Sequence, residues 1–353
     1  MKSFFAVLAL LLASAAARGA DLPPDFGLPF TDVRFGSVTL YSENDKYFAG
    51  TDQHYTNGFK VSALSSNLAR LSPEEMYAPV RAAVRVLGPL LPDGQVYKLG
   101  VSLGQNLYTP VDIDTAAFQP ADRPYAAWLY VGTTLQIYQP PRTTASGNTA
   151  IARLDSLEVN LGMVGPAAFG RQVQNNYHDL IKVPHAKGWH HQIDNEPGIV
   201  VSLERKWRLS TAQARTGWGG DFIPHVGAAV GNVTTRANGG AEARLGWRLP
   251  ADFGSNLIRP SGDSNSRQRA NWSFFVFGGW DTRLVGRDIT LDGPMFTAGP
   301  SIGKRKVVHD VAGGIALGSH HWQLAYTQAR RSREFRGQDH SSVFGSISLT
   351  FYR

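Results

Sequence analysis

Ala127-Trp128-Leu129-Tyr130-Val131-Gly132-Thr133-Thr134-Leu135-Gln136-Ile137-Tyr138 is the stretch that decides the fold. Its odd positions read Ala, Leu, Val, Thr, Leu and Ile. Its even positions carry Gly132, Thr134 and Gln136, with Trp128, Tyr130 and Tyr138 towards the ends. One face is apolar and the other wet, the period-two signature of a half-buried strand. The same alternation sets Leu157, Val159, Leu161 and Met163 against Glu158, Asn160 and Gly162, and Ile199, Val201 and Leu203 against Ser202, Glu204 and Lys206. It returns at the C-terminus, where Val343, Gly345, Ile347, Leu349 and Phe351 oppose Ser346, Ser348 and Thr350.

Such windows predict strands near 35–44, 55–66, 96–106, 126–139, 150–163, 198–209, 222–233, 236–248, 272–282, 304–317, 320–331 and 343–352. Trp128, Tyr130, Tyr138, Trp207, Trp272, Trp280, Trp322 and Tyr352 fall mostly near strand ends, as the two aromatic girdles of a membrane barrel require. Closure also removes the sheet edges that hydrocarbon would not tolerate. The expected fold is therefore all-β: a transmembrane antiparallel β-barrel of about twelve strands, with short helices in its loops. A soluble all-β sandwich is the competing architecture.

Composition agrees. Lys2, the apolar run Phe4 to Leu12 and the small residues Ala13 to Ala20 read as a signal peptide over residues 1–20, leaving one barrel domain over 21–353. Cysteine is absent, so packing and hydrogen bonding must hold an exported chain. Beyond residue 20 no run reaches the roughly 18 apolar residues of a membrane helix. The 37 glycines and 11% aromatics suit a barrel better than a large aliphatic core. A net charge of +7 without a Lys/Arg-rich tract points away from nucleic acid and towards phosphorylated lipid.

If strands alternate up and down from a periplasmic N-terminus, the loops 45–54, 107–125 and 164–197 share the outer rim. The stretch Glu43 to Gly58 offers Asp45, Asp52, Asn44, Asn57, Thr56 and backbone carbonyls near Gly50 and Gly58, oxygen donors suited to calcium. The same residues also make an ordinary hairpin connection. The second loop holds Tyr108-Thr109-Pro110, Asp112, Asp114 and Asp122-Arg123-Pro124-Tyr125. In the third, Arg171 to Ile181 lacks Gly and Pro and spaces Val173, Tyr177 and Leu180 as a helix would, placing Arg171, Gln174 and His178 on an adjoining face. His178 is a candidate general base. One of ten histidines, it equally fits a plain surface position. On the opposite side, Ser72-Pro73 with Glu75 predicts a short helix within 67–95, and 250–271 reads as a flexible turn.

Taken in order, these residues resemble the lipid A 3′-O-deacylase family of Gram-negative outer membranes. The resemblance spans essentially the whole mature chain. It rests on Asn44-Asp45, Thr51-Asp52, Tyr55-Thr56-Asn57-Gly58, Tyr108-Thr109-Pro110, Asp122-Arg123 with Tyr125, Val164-Gly165-Pro166, Gln174 with His178, and Trp189, Gln192 and Asn195. It implies a twelve-stranded barrel that removes the 3′-linked acyloxyacyl chain of lipid A with the help of calcium. Asn44, Asp45, Thr56 and His178 fall on the family's active-site positions. Asp45 and Asp52 are then the metal ligands, and Tyr108, Arg123 and Gln174 the residues that meet lipopolysaccharide. Two departures stand out. A family glutamate six residues beyond the histidine is Pro184 here, leaving Asp179 or Asp194 as replacements, and the chain ends Phe351-Tyr352-Arg353 instead of on an aromatic. On this reading His178 activates water, since no serine stands out beside it. The alternatives are a phospholipase A-like barrel, for which Ser66-Asn67 and Ser264-Asn265 lack the expected context, and a non-catalytic porin or adhesin.

Overall fold

The alternating windows close on one another. A computed structural model, describing residues 35–45, 47, 54–68, 95–143, 149–211, 214–254 and 272–353, is a closed barrel of twelve strands. They are β1 (Phe35–Asn44), β2 (His54–Ser65), β3 (Val96–Thr109), β4 (Ala126–Thr143), β5 (Thr149–Val164), β6 (Glu196–Thr211), β7 (Trp218–Gly231), β8 (Thr234–Trp247), β9 (Ser273–Asp288), β10 (Val307–Gly318), β11 (Trp322–Arg331) and β12 (Ser342–Tyr352). Each pairs antiparallel with its sequence neighbours, and β12 returns to β1 from Ser37↔Tyr352 to Asn44↔Gly345. Two helices, α1 (Gly170–Ile181) and α2 (Ile289–Asp292), lie in loops on one rim. The expected strands are all present, and β9 runs six residues beyond its predicted end. The signal peptide, Asp52, the helix expected within 67–95 and residues 255–271 lie outside the described residues.

The pleat sorts side chains inside out. Leu103, Val131, Leu161, Leu203, Leu245 and Val311 are exposed on the outer face, Val131 by 59%. Thr134, Gln136, Glu158, Lys206, Arg208 and Arg244 are buried in the lumen. This is the pattern of strands whose outer solvent is hydrocarbon. Trp218 stacks edge-on against Trp247, and Trp272 against Trp322, on the rim opposite the helices. Trp128 and Tyr130 do not join a girdle as expected. They occupy the even, inward positions of β4, are buried, and stack on each other at 5.5 Å.

Both ends of the lumen are bridged. Near the rim opposite the helices, Arg244 pairs with Asp221 at 2.6 Å and with Asp252. Arg208 donates to the Pro250 carbonyl at 2.9 Å, and Phe253 packs edge-on against Tyr138. The start of the segment read as a flexible turn is thus folded inward, because buried guanidinium groups require its carbonyls as acceptors. Near the other rim, Asp310 accepts from Arg283 and Arg331, while Glu334 pairs with Arg123 at 3.3 Å and Arg331 at 3.5 Å. Between them lies a cavity of about 180 Å³ lined by Glu43, Tyr55, Asn160, His225 and Asp281 among others.

Burial alone would raise the Glu334 carboxyl, but the positive charges of Arg331, Arg123 and Arg283 outweigh it and hold it below the ordinary carboxylate range. A group depressed in the folded state adds stability above its unfolded pKa and loses it as pH falls. Removing one partner of a buried pair costs about 3–5 kcal/mol. Glu334→Gln is therefore expected to melt at lower temperature than wild type at pH 7, read from heat-dependent gel mobility. The gap should start to narrow below about pH 4.3, where unfolded glutamates protonate, and close under stronger acid.

Candidate active site

The end of β1 and the third loop both present their candidate residues on the outer face of the wall, not in the lumen. Along β1, Tyr41 and Glu43 are buried inward positions, and Tyr55 donates to Glu43 at 2.7 Å inside the barrel. Asn44, one residue on, therefore faces out. A β-bulge at Thr56 interrupts the ladder between Tyr55 and Asn57, as bulges do where a side chain is re-aimed. The Thr56 hydroxyl meets that of Thr109 at 2.6 Å. The Asp45 N–H donates to the Thr56 carbonyl at 3.4 Å, so Asn44, Asp45, Thr56 and Thr109 form one patch. All four are buried, although an outward position at a barrel rim would ordinarily be exposed.

Over β3 and β4 this side of the wall is covered by the third loop. Gly165, at φ 92°, follows β5 and donates to the Ala127 carbonyl at 3.1 Å, turning the chain back over the wall. A Cβ there would lie 2.5 Å from the Asp194 carbonyl, which only glycine avoids. Gln105 on β3 donates to the Ala168 carbonyl at 2.6 Å, and the Ile193 N–H donates to the Tyr125 carbonyl at 3.0 Å. Leu107, Tyr125, Ala127, Ala168, Ala186 and Trp189 form the apolar seam between loop and wall. Helix α1 packs on β3 and β4 through this seam.

The spacing of Val173, Tyr177 and Leu180 predicts the helix, with Arg171, Gln174 and His178 along an adjoining face, and does not say which face is buried. The buried stripe of the helix is Gly170, Gln174 and His178. Arg171 is exposed, and Val173 and Leu180 point outward, Leu180 by 57%. The facing has a physical reason: Gln174 and His178 find hydrogen-bond partners within the loop, while the surroundings of the outer face are apolar. Gln174 accepts from the Trp189 indole N–H at 2.6 Å. Its amide nitrogen is buried without a hydrogen-bond partner among the described residues.

His178 Nδ1 lies 2.6 Å from the Pro184 carbonyl. A carbonyl only accepts, so Nδ1 carries the proton, and in the neutral ring Nε2 keeps its lone pair. The backbone of the departing residue Pro184 thus orients the imidazole. Neither suggested replacement carboxylate is needed for that: Asp179 is exposed and bonded to His185 at 2.6 Å, and Asp194 is exposed. Burial pushes the Tyr47 phenol up to about 12, the Ser42 hydrogen bond opposes this, and Tyr177 adds to it. Tyr47, two residues past Asp45, is therefore within electrostatic range of the residue beside His178.

Other expected residues fall elsewhere. Tyr108 faces the lumen, with the Arg123 guanidinium 4.6 Å from its ring, and Arg123 donates to Thr290 at 3.0 Å. Both belong to the bridge beneath the rim, not to the patch under α1. Spacing gave no sign of Thr109, Trp189 or the Pro184 carbonyl as positioning groups. Trp189, which opens the 3₁₀ turn Trp189–His191, and Thr109 stood in the resemblance without a role. Among the described residues, no three His, Cys, Asp or Glu side chains cluster as a metal site. The donor set at the patch is nonetheless all oxygen: one carboxylate, one amide carbonyl and two hydroxyls. That suits a hard cation completing its shell with water or substrate.

The sequence profile of the family described as "Outer membrane protein LpxR" matches residues 4–353. Among solved structures, LpxR from Salmonella typhimurium superposes with a TM-score of 0.66 at 20% identity, covering 90% of this chain and 100% of that one. The β domain of the Bordetella autotransporter BrkA gives a TM-score of 0.41 at 10% identity, covering 91% and 100%. Comparison with curated protein sequences gave no match.

Gly170 is what lets α1 sit this close. A Cβ there would lie 2.5 Å from the Trp189 ring and 2.6 Å from the Ala127 Cβ. Gly170→Ala is expected to leave the barrel folded but to lift the start of α1, exposing Trp189. The measurement is acrylamide quenching of tryptophan fluorescence, with Trp189→Phe as the control that removes the added signal.

Proposed function

Since the chain belongs to the LpxR family of outer-membrane proteins, we propose that it is a lipid A 3′-O-deacylase, an ester hydrolase working at the outer-leaflet rim of its barrel. The observation that carries this reading is the oriented imidazole: His178, buried on the outer face of the wall with Nδ1–H held by the Pro184 carbonyl, presents Nε2 as a base. His178 and the patch lie on the lipid-facing side of the wall and not in the lumen. The exposed apolar side of α1, Phe169, Val173 and Leu180, continues the lipid-facing surface of the strands. In this reading the apolar side of α1 is the side from which an acyl chain approaches the patch. The bridged lumen supports an enzyme over a porin.

In the proposed reaction, Nε2 of His178 takes a proton from water as its oxygen attacks the ester carbonyl. The resulting oxyanion accepts from the amide N–H of Gln174, whose orientation is fixed by the Trp189 indole. Collapse breaks the bond to the sugar oxygen, which takes the proton from the imidazolium. The acyl chain leaves as a carboxylic acid, and the neutral ring is restored. Asn44 and Thr56, with Thr109 behind it, position the water and the carbonyl. Asp45, with the oxygens of Asn44 and Thr56, would hold calcium, with Asp52, which lies outside the described residues, as the further ligand expected from the sequence; the ion would supply positive charge to polarise the ester carbonyl.

His178→Ala is expected to keep heat-dependent gel mobility and to lower deacylation by about 10²–10⁴-fold, the range for loss of a general base. Mass spectrometry of lipid A incubated with the purified protein measures it. Retained acyl loss would remove His178 from the reaction. Asp45→Asn and chelation with EDTA should each abolish turnover, and full activity in excess EDTA would eliminate calcium.

A further inference from the structure

The geometry points to a phosphate-binding ridge on the same rim, formed by Arg305, Lys306, Arg333 and Arg336, that holds the phosphorylated headgroup of a glycolipid. The four belong to two connections, 289–306 and 332–341, that run antiparallel beside each other. The Arg305 N–H donates to the Glu334 carbonyl at 2.7 Å and the Arg336 N–H to the Gly303 carbonyl at 2.7 Å, with Lys304 bridged to Phe335 between them. Glu334 and Phe335 turn inward and are buried, pinning this ribbon from beneath. The four basic side chains are left outside, all exposed.

Acids that would neutralise them are committed elsewhere. Glu334 serves Arg123 and Arg331, and Asp292 takes Lys304 at 2.7 Å. Exposed Asp339 on the same loop and half-buried Asp122, next to Ala121 on the second loop, count against them, so the four basic residues keep a net charge of about +2. Four like charges fixed on a two-stranded ribbon repel one another unless a polyvalent anion bridges them. At an outer-leaflet rim the abundant anions of that kind are glycolipid phosphates.

The ridge flanks the candidate active site. Gly337, at φ 91°, lies against the Ala121 carbonyl of the second loop. That loop in turn meets the third, where the Lys187 N–H donates to the Ile113 carbonyl at 2.9 Å. Strand β12 leaves the ribbon and pairs Gly345 with Asn44. The ridge thus rises on the β12 side of Asn44 and Asp45, while α1 covers the β3 and β4 side. A phosphorylated sugar gripped there would lie across the patch with its ester towards His178. The naming of the lipid rests on the deacylase reading; the ridge as a binder of phosphorylated headgroups does not.

The test measures equilibrium binding of the full-length protein, in a zwitterionic detergent, to bisphosphorylated lipid A and to the same lipid stripped of both phosphates. Turnover is prevented by His178→Ala in every protein compared. Preference for the phosphorylated form of about tenfold or more is expected at 50 mM NaCl, shrinking at 500 mM. Replacing Arg305, Lys306, Arg333 and Arg336 by serine together should abolish the preference, whereas a control replacing exposed Arg171, Lys182 and Lys187 should retain it. If the fourfold variant misfolds by gel mobility, the pair Lys306→Ser and Arg333→Ser takes its place, with a partial loss expected. An unchanged preference in the ridge variants, or none in the parent, overturns the proposal. Intact preference in a chain whose His178 form does not deacylate lipid A would instead refute the enzyme and leave the ridge standing.

Discussion

Every strand of this protein must satisfy its backbone in a solvent that offers no hydrogen bonds, and closure of β1 on β12 is what makes that possible. Once the wall is closed, the pleat has two unlike solvents to serve. Side chains at alternate positions meet hydrocarbon outside or one another inside, so the usual sense of core and surface is reversed. Leucine and valine are the exposed residues, and arginine, lysine, aspartate and glutamate the buried ones. The lumen charges are then obliged to pair, and the pairs at the two rims tie distant strands and loops together.

The candidate active site takes advantage of the same reversal. At the top of β1 to β4 the outward face carries Asn44, Thr56 and Thr109, groups that hydrocarbon would leave unsatisfied. Beside them, over β3 and β4, the third loop returns with a helix whose polar stripe faces in and whose apolar residues face out. Gln174 and His178 are thereby enclosed between the wall and the apolar outer side of the helix. The imidazole is oriented by a backbone carbonyl, which explains how proline is tolerated where the family resemblance leads one to expect a carboxylate.

Period-two alternation made the twelve strands and their order legible, because lipid on one side and a packed lumen on the other leave no other register for such segments. It even held the answer for Trp128 and Tyr130, whose even positions put them inside, although their place near a strand end suggested a girdle. The helix of the third loop was legible as a helix from its spacing, but its facing was not. A hydrophobic stripe says where apolar residues cluster on a helix. It does not say which solvent that stripe will meet.

By itself, then, the sequence determined a closed wall of lipid-facing strands and the polar residues gathered in its rim loops, since local periodicity and parity are properties of the chain alone. Only the tertiary structure decided that α1 turns His178 and Gln174 against the outer wall, that the Pro184 carbonyl orients the imidazole, and that Arg123 and Tyr108 serve the lumen bridge. Those are contacts between segments far apart in the chain. They depend on which loop folds over which face, and no local pattern records it.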